Sequence, residues 1–516
     1  MAEHGFRRWI IVITVVTATV IELIDTSIVN VALTQMSGNL GATLEDVSWV
    51  VTAYAIANVI IIPITGFLAA IFGRRNYYLG SIILFTVTSI LCGNATNIWE
   101  LVAFRFLQGI GGGALLSTSQ SILFETFEEK ERGMAAAIFT VGVIFGPTIG
   151  PTLGGWIVDN YSWPWIFYVN MPVGVVAALL TWAFIKDPPD AMKRRVTIDW
   201  AGIGLLAAGI GSLQFVLERG ETKDWFGTGY ITAFTCVAVA ALAAFVMWEL
   251  HAKNPAVNLR VLKNRSLTVA ALLTFVVGFG LFGSTYAVPV FSQQIIGMTA
   301  YETGLLMMPG ALAAMVMSPI SGRLMQHGFP PHVLAMAGFA MLGLFCWNLA
   351  VLTSQMGPQD FFWPLVLRGV GIASLSVPLT TMAVSGLQGR DLAQGVALNN
   401  MMRQLGGSFG IALINTYVAH RNFSNRTGLL AHVGAGDRLV QERLAALTAF
   451  FQAKGASIEA ASRQAYLIIE QIIVRESAVI SYADTFRVLA VFFVLCVPVV
   501  LLMKRSAGGR IVGGDH

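Results

Sequence analysis

Apolar runs of membrane length follow one another along nearly the whole chain, separated by short polar connectors. A window of about 19 residues picks out fourteen of them, at about 9–33, 46–70, 77–95, 99–121, 133–156, 164–185, 198–217, 230–250, 267–291, 302–324, 332–352, 361–384, 395–419 and 482–503. A hydrocarbon core about 30 Å thick is crossed by about 20 apolar residues in a helix. In lipid each backbone polar group must find its partner within the protein, and for runs of this length that means a helix. The pattern predicts an all-α polytopic membrane protein with fourteen transmembrane helices.

The polar connectors carry the orientation. One set holds Arg7, Arg8; Arg74, Arg75; Lys130, Arg132; Lys186, Lys193, Arg194, Arg195; Lys253, Arg260, Lys263, Arg265; Arg323; Arg390; and Lys504, Arg505, Arg510, whereas the opposite short loops hold only Arg219 and Lys223. Lysine and arginine stay on the cytoplasmic side, so both termini are expected there. The basic connectors 186–197 and 251–266 bracket spans 7 and 8, with six spans before the pair and six after it. This divides the chain into an N-terminal six-helix bundle (1–185), basic linkers with a two-helix insertion (186–266) and a C-terminal six-helix bundle (267–516). The halves echo each other: GFLAAIFGRR from Gly66 against SPISGRLMQHG from Ser318, and Arg105-Phe-Leu-Gln-Gly109 against Arg368-Gly-Val-Gly371. Repeats of this kind build many secondary transporters, with the substrate site at the midplane between them.

One connector is long. Residues 421–481, on the outer side, show helical spacing of apolar residues at 439–453 and 458–473 after a turn-like HVGAGDR, which predicts an ordered helical hairpin outside the membrane.

Composition narrows the class. The chain has 516 residues, of which 56% are hydrophobic and 12% charged, too apolar for a soluble domain. A net charge of +4 gives no reason to expect nucleic acid as a partner. The four cysteines lie inside apolar runs, without metal or disulfide spacing, so no metal is expected. The first run is too long for a signal-peptide core and no cleavage site follows it. Phosphate-loop, HExxH and GxSxG signatures are absent, and the chain is expected to be neither an enzyme nor an ATP-driven pump on its own.

Ionisable residues within the bilayer are costly and mark ion or proton pathways. Span 1 reads IELIDTSIVNVAL from Ile21, with Glu22 and Asp25 one turn apart on one face. A proton carrier needs burial, which favours the neutral acid, set against a nearby cation, which favours the charged one. For Asp25 proton coupling is preferred over a structural hydrogen bond; Glu22 is either a second proton site or a solvated residue nearer the cytoplasmic end. Arg105 of span 4 shares a stripe with Gln108, Gly109 and Gly112 and lies several residues inside the span, which favours a buried partner for Asp25 over snorkelling. Asn400, Arg403, Gln404 and Gly407 fall on one face of span 13 and argue for a polar cavity lining. Asn30, Asn58 and Gln108 are further cavity candidates. Phe275, Phe279, Phe282 and Tyr286 repeat at near-helical spacing in span 9; aromatics so placed more often pack than bind, and Phe279 and Tyr286 are kept as substrate-cavity candidates.

Span 5 contains FTVGVIFGPTIGPTLGGW, with Gly142, Gly146, Gly150 and Gly154 on one face, Pro147 and Pro151 within it, and Gly155 at its end. Small residues in a membrane helix admit a close neighbour, and each proline removes an amide donor. By itself this is either a packing seam or a functional hinge. In this order GPxxGPxxGG resembles the exporter signature of the major facilitator superfamily, placed there on the fifth helix.

Nearly end to end, the chain resembles the EmrB/QacA-type drug/proton antiporters, the fourteen-helix branch of that superfamily. Carriers of the likeness are IDTSIVNVAL, WVVTAYAIANVIIIPITGFLA, RFLQGIGGG, the span-5 glycines, WIFYVNMPVG, IDWAGIGLL and RQLGGSFGIAL. The resemblance implies the major facilitator fold, alternating access, a proton carried at Asp25 with support from Arg105, and no cofactor beyond the proton gradient. It also implies a gating loop at Gly66, Gly73, Arg74 and Arg75, although Ala70 stands where the family commonly has an acid. The long outer loop resembles the EmrB side, which implies a bacterial inner-membrane location, a periplasmic adaptor (membrane fusion protein) and an outer-membrane channel. The expected function is proton-coupled export of amphipathic or toxic small molecules. The runners-up are an uptake symporter or facilitator of the same fold, and a membrane receptor or scaffold acting through the outer loop.

Overall fold

The computed structural model describes residues 5–187, 198–351, 353–433 and 437–501. Lys193, Arg194, Arg195, Lys504, Arg505, Arg510 and the glycine turn at 434–436 lie outside the described residues. Those described are overwhelmingly helical, with no strand among them.

The first half comprises α1 (Gly5–Leu40), α2 (Leu44–Phe72), α3 (Arg74–Gly93), α4 (Ile98–Thr126), α5 (Arg132–Asn160), α6 (Trp165–Tyr168) and α7 (Asn170–Phe184). The sixth span is thus two helices. Pro172, in the first turn of α7, has no amide hydrogen to donate back to the carbonyl of Tyr168, and the helix breaks there. Polar side chains start the helices on schedule: Thr43 accepts from the Asp46 amide at 3.1 Å to open α2, and Asn97 from the Glu100 amide at 3.0 Å to open α4. Gly73, at a φ of 81°, lets the chain turn from α2 directly into α3.

α8 (Trp200–Arg219) and α9 (Gly229–His251) form the inserted pair, followed by α10 (Arg265–Phe291), α11 (Ala300–Gln326), α12 (Pro331–Leu349), α13 (Pro358–Ala383), α14 (Gly389–His432), α15 (Arg438–Ala453) and α16 (Ile458–Val499). Among the described residues thirteen helical segments are long and apolar enough to cross a bilayer. The fourteenth span lies in α14, whose asparagines, arginine and glutamine lower its hydropathy while Gln394, Asn399, Asn400 and Arg403 are buried against protein.

The packing repeats between the halves. α1 lies on α5 and α2 on α4; correspondingly α10 lies on α14 and α11 on α13. Across the halves α5 meets α11 and α14 meets α2, while α8 touches both α2 and α14. These are the relations expected of two repeats joined by a pseudo-two-fold.

The outer connector differs from the expectation at its edges. A loop is expected from Arg421, but α14 continues unbroken to His432, and α16 runs from Ile458 straight into the last span. A polar ladder holds the two helices together beyond the apolar spans. Arg421 Nε donates to Asp484 at 3.0 Å, Asn425 to Ser481 Oγ at 3.0 Å, and Ser477 Oγ to Asn422 at 2.6 Å, with an Arg426–Glu470 ion pair further out. Hydropathy marks where lipid ends, and here it does not mark where the helix ends.

Candidate functional site

Three helices meet at one carboxylate, and two more hold its partners. Asp25 of α1 is completely buried, and Arg105 of α4, only 1% exposed, donates to its Oδ2 at 2.6 Å. Its other oxygen accepts from Gln108 at 3.1 Å and from Asn170 at the start of α7 at 2.8 Å. Asn170 is itself fixed on Ser89 Oγ of α3 at 2.9 Å. Arg105 also donates to Gln108 Oε1 at 2.7 Å and to the Val50 carbonyl at 3.3 Å, and its guanidinium lies 4.1 Å from the Tyr54 ring centroid. Charge, fork geometry and aromatic face are all satisfied, as a buried arginine requires.

Glu22, one turn below, has a different environment. It is 3% exposed, so it is not a solvated residue at the helix end. Its Oε1 accepts from Tyr54 OH at 3.2 Å and Asn58 Nδ2 at 3.0 Å, while Oε2 has no partner. Among the described residues no cation lies within ion-pair distance of Glu22. Tyr54 therefore joins the two acids, with its face on the cation of one and its hydroxyl on the other. The α4 glycines make room for it: a Cβ at Gly109 would come to 2.5 Å from the Tyr54 carbonyl, and one at Gly112 would overlap the Tyr54 hydroxyl.

The glycine face of α5 rests on the same stretch of α1. A Cβ at Gly142 would lie 3.3 Å from Val20, at Gly146 2.5 Å from Leu23 and at Gly154 2.7 Å from Ile28, while at Gly150 it would overlap the Ser27 hydroxyl. Gly155 is buried as well. Pro147 and Pro151 lie in the same helix, which presses its other side on α11, where Thr152 fills the space above Gly304. α5 is thus wedged between the acid-bearing helix of the first half and the second half.

Asn400 of α14 reaches across the halves, donating to Gln120 at 2.8 Å and Ser117 at 3.2 Å on α4. Arg403 donates to Asn400 Oδ1 at 2.6 Å and lies 5.8 Å from the Phe139 ring of α5. Gln404 is half-buried beside them, and Asn30 is exposed on α1. Phe279 packs with its ring tilted against Phe492 of α16 at 5.4 Å, and Phe275 likewise against Phe409 at 5.6 Å, as packing between helices. Tyr286 is half-buried.

At the end that carries the basic connectors, the halves are closed on each other. Gly66 meets the backbone of Ala393 at 3.2 Å from where its Cβ would be, and Gly133 meets Gly322 in the same way at 3.3 Å. Arg132 donates to the carbonyls of Val384 at 2.9 Å and Leu387 at 3.3 Å. Arg74 is paired with Glu125, and Arg75 donates to the Trp182 carbonyl at 2.6 Å. Where Ala70 offers no acid, Asp187 supplies one from the end of the sixth span: its Oδ1 accepts from the Arg75 amide at 2.8 Å, directly beside Gly73.

Tyr54, Asn170, Ser117, Gln120, Arg132 and Asp187 are partners that sequence reasoning missed. Tyr54 and Asn170 stand inside the quoted stretches WVVTAYAIAN and WIFYVNMPVG, so polar atoms within those matches were the available signal. Asp187 carried none, because its role arises only when α7 folds back over α3.

Residues 15–411 match the family described as Major Facilitator Superfamily. Along almost its full length the chain is similar to the multidrug export protein EmrB of Escherichia coli K12, at 34% identity over 99% of both chains. It is likewise similar to the fatty acid resistance protein FarB of Neisseria gonorrhoeae, at 33% identity over 95% of this chain and 96% of that one. The colistin resistance protein EmrB of Acinetobacter baumannii is 29% identical over 96% of each. Among solved structures, the human organic anion transporter MFSD10 superposes with a TM-score of 0.57 at 12% identity, covering 95% of this chain and all of that one. A bacterial homolog of the lysosomal transporter Spinster, inward-facing and unoccupied, superposes with a TM-score of 0.54 at 15% identity, covering 98% of each. These two likenesses speak to the fold alone. With two bundles of repeated packing, a buried acid–arginine pair on α1 and α4 and relatives aligned end to end, the chain belongs to the Major Facilitator Superfamily, in its EmrB-type branch.

Proposed function

We propose that this protein is a proton-coupled multidrug exporter of the bacterial inner membrane, with both termini cytoplasmic, working by alternating access. The observation that carries the proposal is the pair of unequal carboxyls on α1. Asp25 is matched by a cation and two amides and suits the charged form. Glu22 is buried with an orphan oxygen and no cation in ion-pair contact, so the neutral form is the one that fits there. In this conformation the Asp25–Arg105 pair is intact, and a proton held on Glu22 would leave that pair undisturbed. Moving a proton to Asp25 neutralises it and frees Arg105, loosening α1 from α4 and α7. Because α5 lies along α1 and against α11, such a change is felt between the halves. Separation of Arg132 from the connector after α13 and of Gly66 from Ala393 then opens the cytoplasmic end.

Export rather than uptake is supported by the span-5 signature and by the likeness to proteins named for multidrug export and fatty acid resistance. The energetics are adequate: one proton crossing about 150 mV supplies roughly 3.4 kcal/mol, enough for a gradient of a few hundred-fold in a neutral substrate. The outer ends of α14 and α16 with α15 offer a docking site for a periplasmic adaptor that would lead to an outer-membrane channel. α15 has no buried residue and exposes Leu439 and Phe450.

The test is proton release on substrate addition, and uphill transport, by purified protein in liposomes. Wild type should release protons and accumulate substrate only with a gradient. Accumulation indifferent to an uncoupler would overturn the proposal.

A further inference from the structure

The second half has its own buried arginine, and it lacks an acid. Arg368 lies on α13 where the repeat sets Arg105 on α4, and it is 6% exposed. Arg105 faces the first helix of its half and finds Asp25. Arg368 faces the corresponding helix, α10, and finds two hydroxyls: its Nε donates to Ser284 Oγ at 2.7 Å, and its NH2 donates to Thr285 Oγ1. Ser284 in turn donates to the Gly280 carbonyl at 2.5 Å, and Thr285 to that of Leu281 at 2.7 Å. Both hydroxyl hydrogens are committed, so the oxygens act as acceptors and bring no charge. Among the described residues no carboxylate lies within ion-pair distance of Arg368. A buried cation without a counter-charge is expensive.

The guanidinium lines an enclosed cavity of about 30 Å³ where the two halves meet. Pro147 and Thr148 of α5 form one wall, and Phe282 of α10 with Met307 and Gly310 of α11 form the others. That space holds about two water-sized groups, the size of a small acidic head group, in mostly apolar surroundings where Thr148 and Thr285 are the other polar side chains. It lies on the proline turn of the export signature, whose opposite face carries the glycines packed on α1.

We propose that Arg368 is the anchor for the acidic head group of an amphipathic substrate, a carboxylate that takes, in the second half, the place Asp25 holds in the first. The substrate supplies the counter-charge that the fold omits, and its apolar tail follows the walls of α5 and α11 as the halves part. The inference rests on the export reading for its ligand, but it concerns binding alone and needs no gradient.

The experiment is equilibrium binding of radiolabelled decanoate to the full-length protein in nanodiscs, with decyltrimethylammonium as the cationic control. Decanoate should bind to wild type, and Arg368→Gln should weaken it roughly tenfold or more while leaving the cation unchanged. Ser284→Asp should also exclude decanoate, because a resident carboxylate then pairs with Arg368, and its melting temperature should hold or rise. No decanoate binding by wild type, undiminished binding by both variants, or equal loss of anion and cation would overturn the proposal. Should Arg368→Gln fail to fold, Ser284→Asp decides alone, since it keeps the arginine and gives it a partner. Loss of proton coupling with decanoate binding intact would count against the export mechanism and leave this site standing.

Discussion

Gly150 of α5 and Ser27 of α1 are in contact so close that a single added carbon at position 150 would overlap the serine hydroxyl. Ser27 lies two residues beyond Asp25, so the glycine face of α5 sets the position of the acid-bearing helix. In lipid, where no hydrophobic drive pushes helices together, such close packing is the main source of their association. Gly150→Ala should therefore stop efflux from cells while expression persists. Ser27→Gly, which removes the obstructing hydroxyl, should restore part of it in the double variant. Wild-type efflux by Gly150→Ala alone would mean α1 and α5 do not need this approach.

Both acids should be needed for coupling. Asp25→Asn keeps size and hydrogen bonding but cannot take up or release a proton. It should fold, abolish uphill export and substrate-driven proton release in liposomes, and spare downhill exchange. Glu22→Gln resembles the protonated acid and should likewise block net coupling while leaving the Asp25–Arg105 pair in place. If Asp25→Asn pumps against a gradient at the wild-type rate, the proton site lies elsewhere.

Arg132 clamps the closed end through the carbonyls of Val384 and Leu387. Hydrogen bonds from a charged donor are worth about 1.5–3 kcal/mol each. Arg132→Ala should shift the population toward the cytoplasm-open form by roughly tenfold or more. A cysteine placed at Ala393, half-buried against Gly66, should then react faster with an impermeant thiol reagent from the cytoplasmic side. An unchanged rate would show that Arg132 does not hold the gate.

The outer hairpin should separate transport from delivery. Replacing 438–456 by a short Gly-Ser linker removes α15 but leaves the Asn422–Ser477 and Arg421–Asp484 contacts. Proton-coupled flux in liposomes should persist, and efflux across the whole envelope should be lost. Loss of both would assign α15 to folding instead of to a partner.

Charges standing alone in apolar runs are what made the site readable. Asp25 and Arg105 had to find partners, and in one half each was the obvious partner of the other. Uncharged polar residues give no such compulsion, because a serine, threonine or asparagine in a membrane helix is often satisfied by its own backbone. That is why Asn170 and Gln120, which complete the network, were not singled out. The repeat pointed to Arg368, but only the structure sets it against Ser284 and Thr285 and so exposes the missing counter-charge. The ends of α14 and α16 were misplaced for another reason: transfer hydropathy reports the edge of the lipid, and the polar ladder from Arg421 to Glu470 carries both helices past it.

The unbroken run of α14 has a mechanical consequence. From Asn400, which bridges the halves near the midplane, to His432 at its outer tip, the helix is about 48 Å long at 1.5 Å per residue. Tied to α16 along its outer part, it would act in the proposed cycle as a lever pivoting at Asn400, with its long end beyond the apolar spans. A tilt of about 10° at Asn400 would carry the tip about 8 Å. Whatever is seated on α15 would thus be moved each time the halves rock, so that a partner outside the bilayer could be timed by the passage of substrate within it.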